Sequence, residues 1–190
     1  MRDASERLDP DGDLVARIAK GDQAAVRELV DRHVVALMAA ARRLLGSQHE
    51  AEEIVQEVFL RVWTNAAKWQ PGRATFATWM HRVALNLCYD RLRRRREVTV
   101  ETMPDPADPT ALPDQGLDEA ALSRRIDEEL QALPERQRAA LVFCHFQGLS
   151  QAQAAEILNV SVEALESLLS RARRRLKERL ADIADDYFAA

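Results

Sequence analysis

The chain of 190 residues is poor in cysteine: it has two, Cys88 and Cys144, and no Cys-x-x-Cys pair. That excludes a disulfide-stapled secreted scaffold. With four scattered histidines it also argues against a metal site, and nothing in the sequence calls for a cofactor. Both cysteines fall inside apolar helical patterns and read as buried, reduced thiols. No apolar run approaches the roughly 18 residues of a membrane span, so no membrane insertion is expected. Met1 to Pro10 is charged and lacks the apolar stretch of a signal peptide, which leaves a cytoplasmic protein as the expectation. Sustained period-two alternation is missing too, so strands are not expected.

What is present is apolar residues, 47% of the chain, and charge, 31%. The first figure is too high for a wholly disordered chain, and the length allows one large domain or two small ones with a real core. The net charge of −4 speaks against a polyanion partner, but the average hides blocks. Five of the six residues from Arg91 to Arg96 are Arg, and six of the nine from Arg171 to Arg179 are basic. Between them, Glu97 to Asp118 holds six acids and no base. A local basic face matters more to nucleic acid than the total.

The periodicity is helical throughout. It predicts a short helix from about Asp13 to Lys20, a second after Asp22 to Leu45 with Gly46 as its stop, and a third from a capping box at Ser47–Glu50 to about Lys68. In the third, Ile54, Val55, Val58, Phe59, Val62 and Trp63 are the expected buried residues. A fourth helix begins near Thr75, carries Phe76, Trp79, Met80, Val83 and Leu87 on one face, and ends in the Arg block. Residues 97–117, with Pro104, Pro106, Pro109 and Pro113 among the acids, read as a flexible linker that favours independent motion of two domains. Helices resume at about 118–131 and 134–147. The expected architecture is all-α, with small helical domains at 1–96 and 118–184, the linker at 97–117 between them and a tail at 185–190.

The stretch from Gly148 to Ser161 is the most informative. Ser150 with Gln153 forms a second capping box, Asn159 suits a tight left-handed turn, and Ser161 caps the helix that follows. A short helix, a three-residue turn and a longer helix make a helix-turn-helix. On the longer helix Leu165, Leu169, Ala172 and Leu176 cluster on one side, flanked by Val162 and Leu168. The opposite side presents Glu163, Ser167, Ser170, Arg171 and Arg174, side chains suited to base edges and phosphates.

Three segments then carry a resemblance. Glu50-Ala51-Glu52-Glu53-Ile54-Val55-Gln56-Glu57-Val58-Phe59 resembles the conserved-region-2 helix of bacterial sigma-70 family factors. Phe76 to Asn86, followed by Asp90 and Arg91, resembles the next part of that region. Leu133 to Arg138, Gly148-Leu149-Ser150 and Ser170 to Arg173 resemble region 4. The likeness spans about residues 12–180 and is greatest to the extracytoplasmic-function subgroup, in which a linker joins regions 2 and 4.

The resemblance implies a subunit that binds core RNA polymerase, directs it to promoter DNA, helps melt the duplex and performs no catalysis. It implies that Glu50, Glu52, Glu53, Gln56 and Glu57 dock on the clamp helices of the large polymerase subunit. It assigns the minus-10 element to Asn86, Asp90, Arg91, Arg93 and Arg94, with Arg73 in a turn (Gln70 to Ala74) that captures a flipped base. Trp69, beside that turn, is the stacking candidate, and Phe76 and Trp79 belong to the core. The face of Glu163, Ser167, Ser170, Arg171 and Arg174 takes the minus-35 element. Glu166 and Leu168 stand where many members carry a basic residue, which leaves the minus-35 sequence open. The acidic linker fits one that runs through the polymerase's RNA path, and a plain spacer fits equally. An anti-sigma factor wedged between or wrapped around the domains is the implied control.

Two other classes compete. A helix-turn-helix regulator acting without polymerase accounts for residues 118–180 but leaves the acidic helix and the Arg-ended helix without a role. A helical enzyme has only His49-Glu50 and His145 as acid–base candidates, with no paired carboxylates beside them.

Overall fold

The computed structural model describes residues 9–69, 74–101 and 117–181. Every regular element among them is helical. The first four are α1 (Gly12–Ile18), α2 (Gln23–Leu45), α3 (Gln48–Asn65) and α4 (Phe76–Glu101). The second four are α5 (Leu117–Gln131), α6 (Glu135–Leu141), α7 (Gln151–Leu158) and α8 (Val162–Arg179). A 3₁₀ turn at Ala66–Lys68 closes α3, and α6 widens into a π turn at Val142–Phe146.

Local chemistry sets most boundaries. Asp22 accepts from the backbone N–H of Ala24 and Ala25 at the start of α2, and Gly46, at φ 72°, ends it. In α4 the helix runs on to Glu101, five residues past the expected domain edge at 96. Most of the expected linker, residues 102–116, lies outside the described residues, as do Arg73 and the tail. Pro134 is the N-cap of α6, one position before the first helical residue where the sequence placed it.

In the first bundle Leu29, Leu37 and Leu44 of α2 meet Ile54, Val58 and Val62 of α3 and Phe76, Met80 and Leu85 of α4. An ionic anchor, not foreseen in the sequence, ties α1 to it. Asp11 is buried and accepts from Arg32 Nη1 at 2.7 Å, and its other oxygen lies 2.8 Å from His33 Nε2. Burial pushes the Asp11 carboxyl up, but His33 and Arg32 together outweigh it and hold the group below its ordinary range. Asp9 accepts from the N–H of Phe76 at 2.6 Å, so the same segment caps α4 across 67 residues of chain.

The second bundle follows its sequence signals closely. Ser150 and Gln153 form the reciprocal box, Asn159 is left-handed at φ 53°, and Ser161 accepts from the N–H of Ala164. Leu165, Leu169 and Ala172 are buried. Glu129 of α5 is buried and paired with Arg125 at 3.3 Å and with Arg179 at the end of α8, which fastens both ends of the domain.

The two bundles pack against one another instead of standing apart as the linker composition suggests. Gln131 Nε2 donates to the carbonyl of Arg43 at 2.7 Å, and Arg138 Nη1 donates to that of Leu44. His81 of α4 stands edge-on to Phe143, with ring centroids 5.7 Å apart. The Arg43 guanidinium lies 4.5 Å from the centre of the Phe146 ring. Ion pairs Arg42–Asp127 at 3.3 Å and Arg96–Glu135 at 3.1 Å flank the contact.

Burial, with a contribution from His33, pushes the His81 imidazole down to about 4 from its ordinary 6.5. Between those values the unfolded chain binds a proton that the folded chain refuses, so stability falls as pH drops through the window. The loss reaches up to about 3 kcal/mol below it. The expected outcome is that His81→Leu narrows the gap in melting temperature between neutral and mildly acidic buffer, measured by circular dichroism.

Candidate functional site

Three surfaces gather the residues of interest. The first is the outward face of α3. Glu52, Glu53 and Gln56 are exposed and Glu57 is half-buried. Gln48 donates to Glu52 at 3.0 Å and Arg61 to Glu57 at 2.8 Å, so the carboxylates are held by neighbours on their own helix. Two turns on, the same face presents Leu60 and Trp63, which are 62% and 55% exposed. Trp63 was expected in the core. At 100° per residue it lies on the side of Gln56, well away from Val55, Val58 and Val62, so the helical wheel already held the answer. Leu60 was not singled out, although it follows Gln56 by four positions.

Glu50 does not belong to this outward face. Its side chain is only 16% exposed, ion-paired with Arg95 and 3.6 Å from Arg91. The reciprocal half of the box expected at Ser47 is replaced by these contacts. Ser47 accepts from the N–H of Glu50, but the Glu50 carboxylate turns toward α4. Arg91 reaches Glu53 at 2.7 Å as well. Two residues assigned to different partners, Glu50 and Arg91, thus neutralise each other inside the fold. Arg95 also donates from Nη1 to the carbonyl of Leu45 at 3.1 Å.

The second surface is the opposite side of α4. Asn86, Asp90, Arg93 and Arg94 are exposed there, and Asp90 pairs with Arg93 at 3.0 Å. Arg82, exposed and one turn before Asn86, extends the row; its spacing of four from Asn86 was the signal for it. The Arg block is therefore divided by helical phase. Arg93 and Arg94 face outward, Arg91 and Arg95 face α3, and Arg96 reaches Glu135. Trp69 is half-buried, packed edge-on to Phe76 with centroids 5.2 Å apart, and Trp79 lies 5.1 Å from the same ring. Phe76 is fully buried, so Trp69 is part of an aromatic cluster that roots the start of α4.

The third surface is α8. Glu163, Ser167, Ser170, Arg171 and Arg174 are all exposed along it, opposite the buried Leu165, Leu169 and Ala172. The Glu163 carboxyl is held below its ordinary range by its own backbone N–H and by Ser161, so this acid is drawn back onto the helix start. Val162, expected beside the core, is 37% exposed. Arg173 lies 2.9 Å from His145 Nε2, and Arg179 is taken by Glu129. The basic run thus divides into outward residues and residues that hold the domain together.

Among the described residues no group of three His, Cys, Asp or Glu is placed to hold a metal ion. The Cys88 thiol is buried and pushed up to about 12, and Cys144 is half-buried, with its thiol also raised by burial. No described helix is long and apolar enough to cross a membrane.

Residues 29–98 match the family model for sigma-70 region 2 and residues 123–176 match that for sigma-70 region 4. The chain is 37% identical to the ECF RNA polymerase sigma factor SigE of Mycolicibacterium smegmatis, over 86% of its own length and 65% of that protein's. It is 31% identical to the ECF RNA polymerase sigma factor SigW of Bacillus subtilis, over 89% of its length and 96% of that protein's. Among solved structures it is similar to CnrH in complex with the cytosolic domain of CnrY (TM-score 0.69, 31% identity, covering 90% of this chain and 97% of that one). It is also similar to the sigma factor RpoE in complex with the anti-sigma factor NepR from Bartonella quintana (TM-score 0.68, 25% identity, covering 82% and 96%). With region 2 on the first bundle, region 4 on the helix-turn-helix bundle and a relative matched over nearly its whole length, the chain belongs to the ECF sigma factors of the sigma-70 family.

Proposed function

We propose that this sigma factor docks on core RNA polymerase through the outward face of α3, engages the minus-10 element with α4 and the minus-35 element with α8. The observation that carries this reading is the α3 face, where Leu60 and Trp63 stand in solvent beside Glu53 and Gln56. Large apolar side chains next to carboxylates suit a protein partner with a basic rim. A regulator that only binds DNA has no use for such a face on its other domain. Glu52, Glu53, Gln56 and Glu57 supply the polar contacts, and Glu50 holds α3 to α4.

On α4, Arg82, Arg93 and Arg94 neutralise phosphate and Asn86 pairs with a base edge. Arg91 serves this surface through α3, by keeping α4 in place. Trp69 supports the start of α4, and Arg73 is assigned to receiving a flipped base. On α8, Ser167 and Ser170 approach bases, while Arg171 and Arg174 supply base-edge or phosphate contacts. The working units are residues 1–96 and 118–184, joined by 97–117. The protein acts in the cytoplasm, has no catalytic step of its own and is controlled by an anti-sigma factor. The RpoE–NepR likeness supports that last point.

Run-off transcription with bacterial core polymerase and a promoter library tests the whole reading. Discrete starts are expected only when the protein is added. No starts, together with a shift of duplex DNA that needs no polymerase, would favour the regulator. Gln56→Ala with Trp63→Ser is expected to weaken core binding by on the order of 2 kcal/mol, tenfold or more. The thermal melt should stay unchanged, since both side chains are in solvent. Arg171→Ala and Arg174→Ala are each expected to cost about 1–3 kcal/mol in binding upstream promoter DNA, measured by fluorescence anisotropy. Wild-type affinity in both would remove α8 from the interface.

A further inference from the structure

Several carboxylates beside the candidate surfaces are taken up by cations. Glu50 and Glu53 meet Arg95 and Arg91, Glu57 meets Arg61, and Asp90 meets Arg93. Glu166 of α8 is different. It is exposed, and the residues three and four positions away along the helix are Val162, Glu163, Leu169 and Ser170. No cation stands where a helical ion pair would form. Arg173, two turns on, lies 2.9 Å from His145 Nε2. Glu163, one turn before, has its carboxyl drawn onto its own backbone N–H and Ser161, at the positive end of the helix dipole. Glu166 has neither device, and among the described residues no cation pairs with its carboxylate.

Its place on α8 makes that bare charge informative. From Val162 to Ser170 the helix has two acids and no basic residue, whereas six of the nine residues from Arg171 to Arg179 are basic. At about 100° per residue, Glu166 stands about 40° from Ser170 and about 60° from Glu163, at the edge of the outward face. In a helix-turn-helix the first residues of the second helix are the ones that reach base edges. A carboxylate there lowers affinity for every duplex alike, because it faces phosphates. Only a contact to a base that donates can offset the loss, since an ionised carboxylate accepts and cannot donate. In the major groove guanine shows two acceptors, and thymine shows an acceptor and a methyl group. Adenine sets its amino group beside N7, an acceptor that repels the carboxylate. Cytosine shows an amino group with no acceptor beside it on the same base.

On the assignment of α8 to the minus-35 element, on which this step rests, we infer that Glu166 is a specificity-determining residue whose carboxylate accepts from the N4 amino group of a cytosine in that element. Ser167 and Ser170 are short, so they let the helix lie close enough for the glutamate to reach. Glu166 weakens DNA binding in general and makes it more selective at one base pair.

The test is selection of upstream promoter duplexes, randomised across the minus-35 element, by the full chain on core polymerase. The wild-type protein should select cytosine at one position by about tenfold or more over each other base. Glu166→Gln should move that preference to adenine, with which an amide pairs in both directions, and Glu166→Arg should move it to guanine. The other selected positions should stay as they are. Thermal melts of the three proteins should coincide, since the side chain is in solvent. N4-methylcytosine keeps the pairing hydrogen and loses the one that faces the groove. Placed at the selected position, it should cost the wild-type protein the same factor and leave Glu166→Gln unaffected. A preference that is the same in all three proteins, or a uniform gain in affinity for Glu166→Gln with no change of preference, would overturn the inference and leave a carboxylate that only repels phosphate. A wild-type protein that selects no minus-35 sequence, or whose selection survives Arg171→Ala with Arg174→Ala, would instead remove α8 from the interface and overturn the reading beneath it.

Discussion

A helix ends with carbonyls that have no partner within it, and in α2 three of them, on Arg43, Leu44 and Leu45, are met by side chains from other elements. Arg95 brings α4 to Leu45, while Gln131 and Arg138 bring the second domain to Arg43 and Leu44. Gly46 makes the meeting possible in two ways. Its φ of 72° turns the chain out of the helix, and a Cβ there would stand 2.9 Å from Gln131 Cδ. The end of α2 is therefore the point where α3, α4 and the helix-turn-helix domain are set relative to one another. All three candidate surfaces inherit their relative positions from it.

The arginines illustrate how one residue type serves two purposes. In α4 a block of five is distributed around the helix by phase. Arg91 and Arg95 meet the carboxylates of Glu50 and Glu53, and Arg93 and Arg94 face outward. The inner pair neutralises acids of α3, and on the outward side Asp90 takes Arg93 and leaves Arg94 and Arg82 exposed. In α8 Arg179 is fixed by Glu129 while Arg171 and Arg174 stay in solvent. A chain with a net charge of −4 still exposes local clusters of arginine, because charge is distributed unevenly around its helices.

What was legible in the sequence was local. Ser150 with Gln153, Asn159 and Ser161 act within four residues of their partners, and each behaves as its type and spacing require. The buried face of α8 follows from periodicity alone. What was not legible depended on partners far along the chain. Ser47 caps α3 as expected, but Glu50 is claimed by Arg95, 45 residues away, which no local rule anticipates. Asp9 fell within the charged stretch Met1 to Pro10 and Asp11 was not singled out, yet they cap α4 and anchor α1 through Arg32 and His33. Trp63 is a different case. Its exposure was recoverable from helical angle, and the expectation failed because a large aromatic was assigned to the core by type.

The packing of the two domains against one another bears on how α8 is built. A dense patch of arginine across α8 would bind any polyanion, and acidic segments of the same chain would compete for it. On α8 the positive charge is confined to the second half: Glu163, Ser167 and Ser170 come first along the outward face, and the basic run from Arg171 to Arg179 follows. Glu163 is drawn back onto Ser161 and its own N–H, so its carboxylate stays at the helix start. Affinity from phosphate contacts is spread along any duplex, whereas short polar side chains discriminate only when they are held against base edges. A helix that binds weakly by itself gains selectivity when the other domain and a large partner hold it in place, because the second contact is then intramolecular.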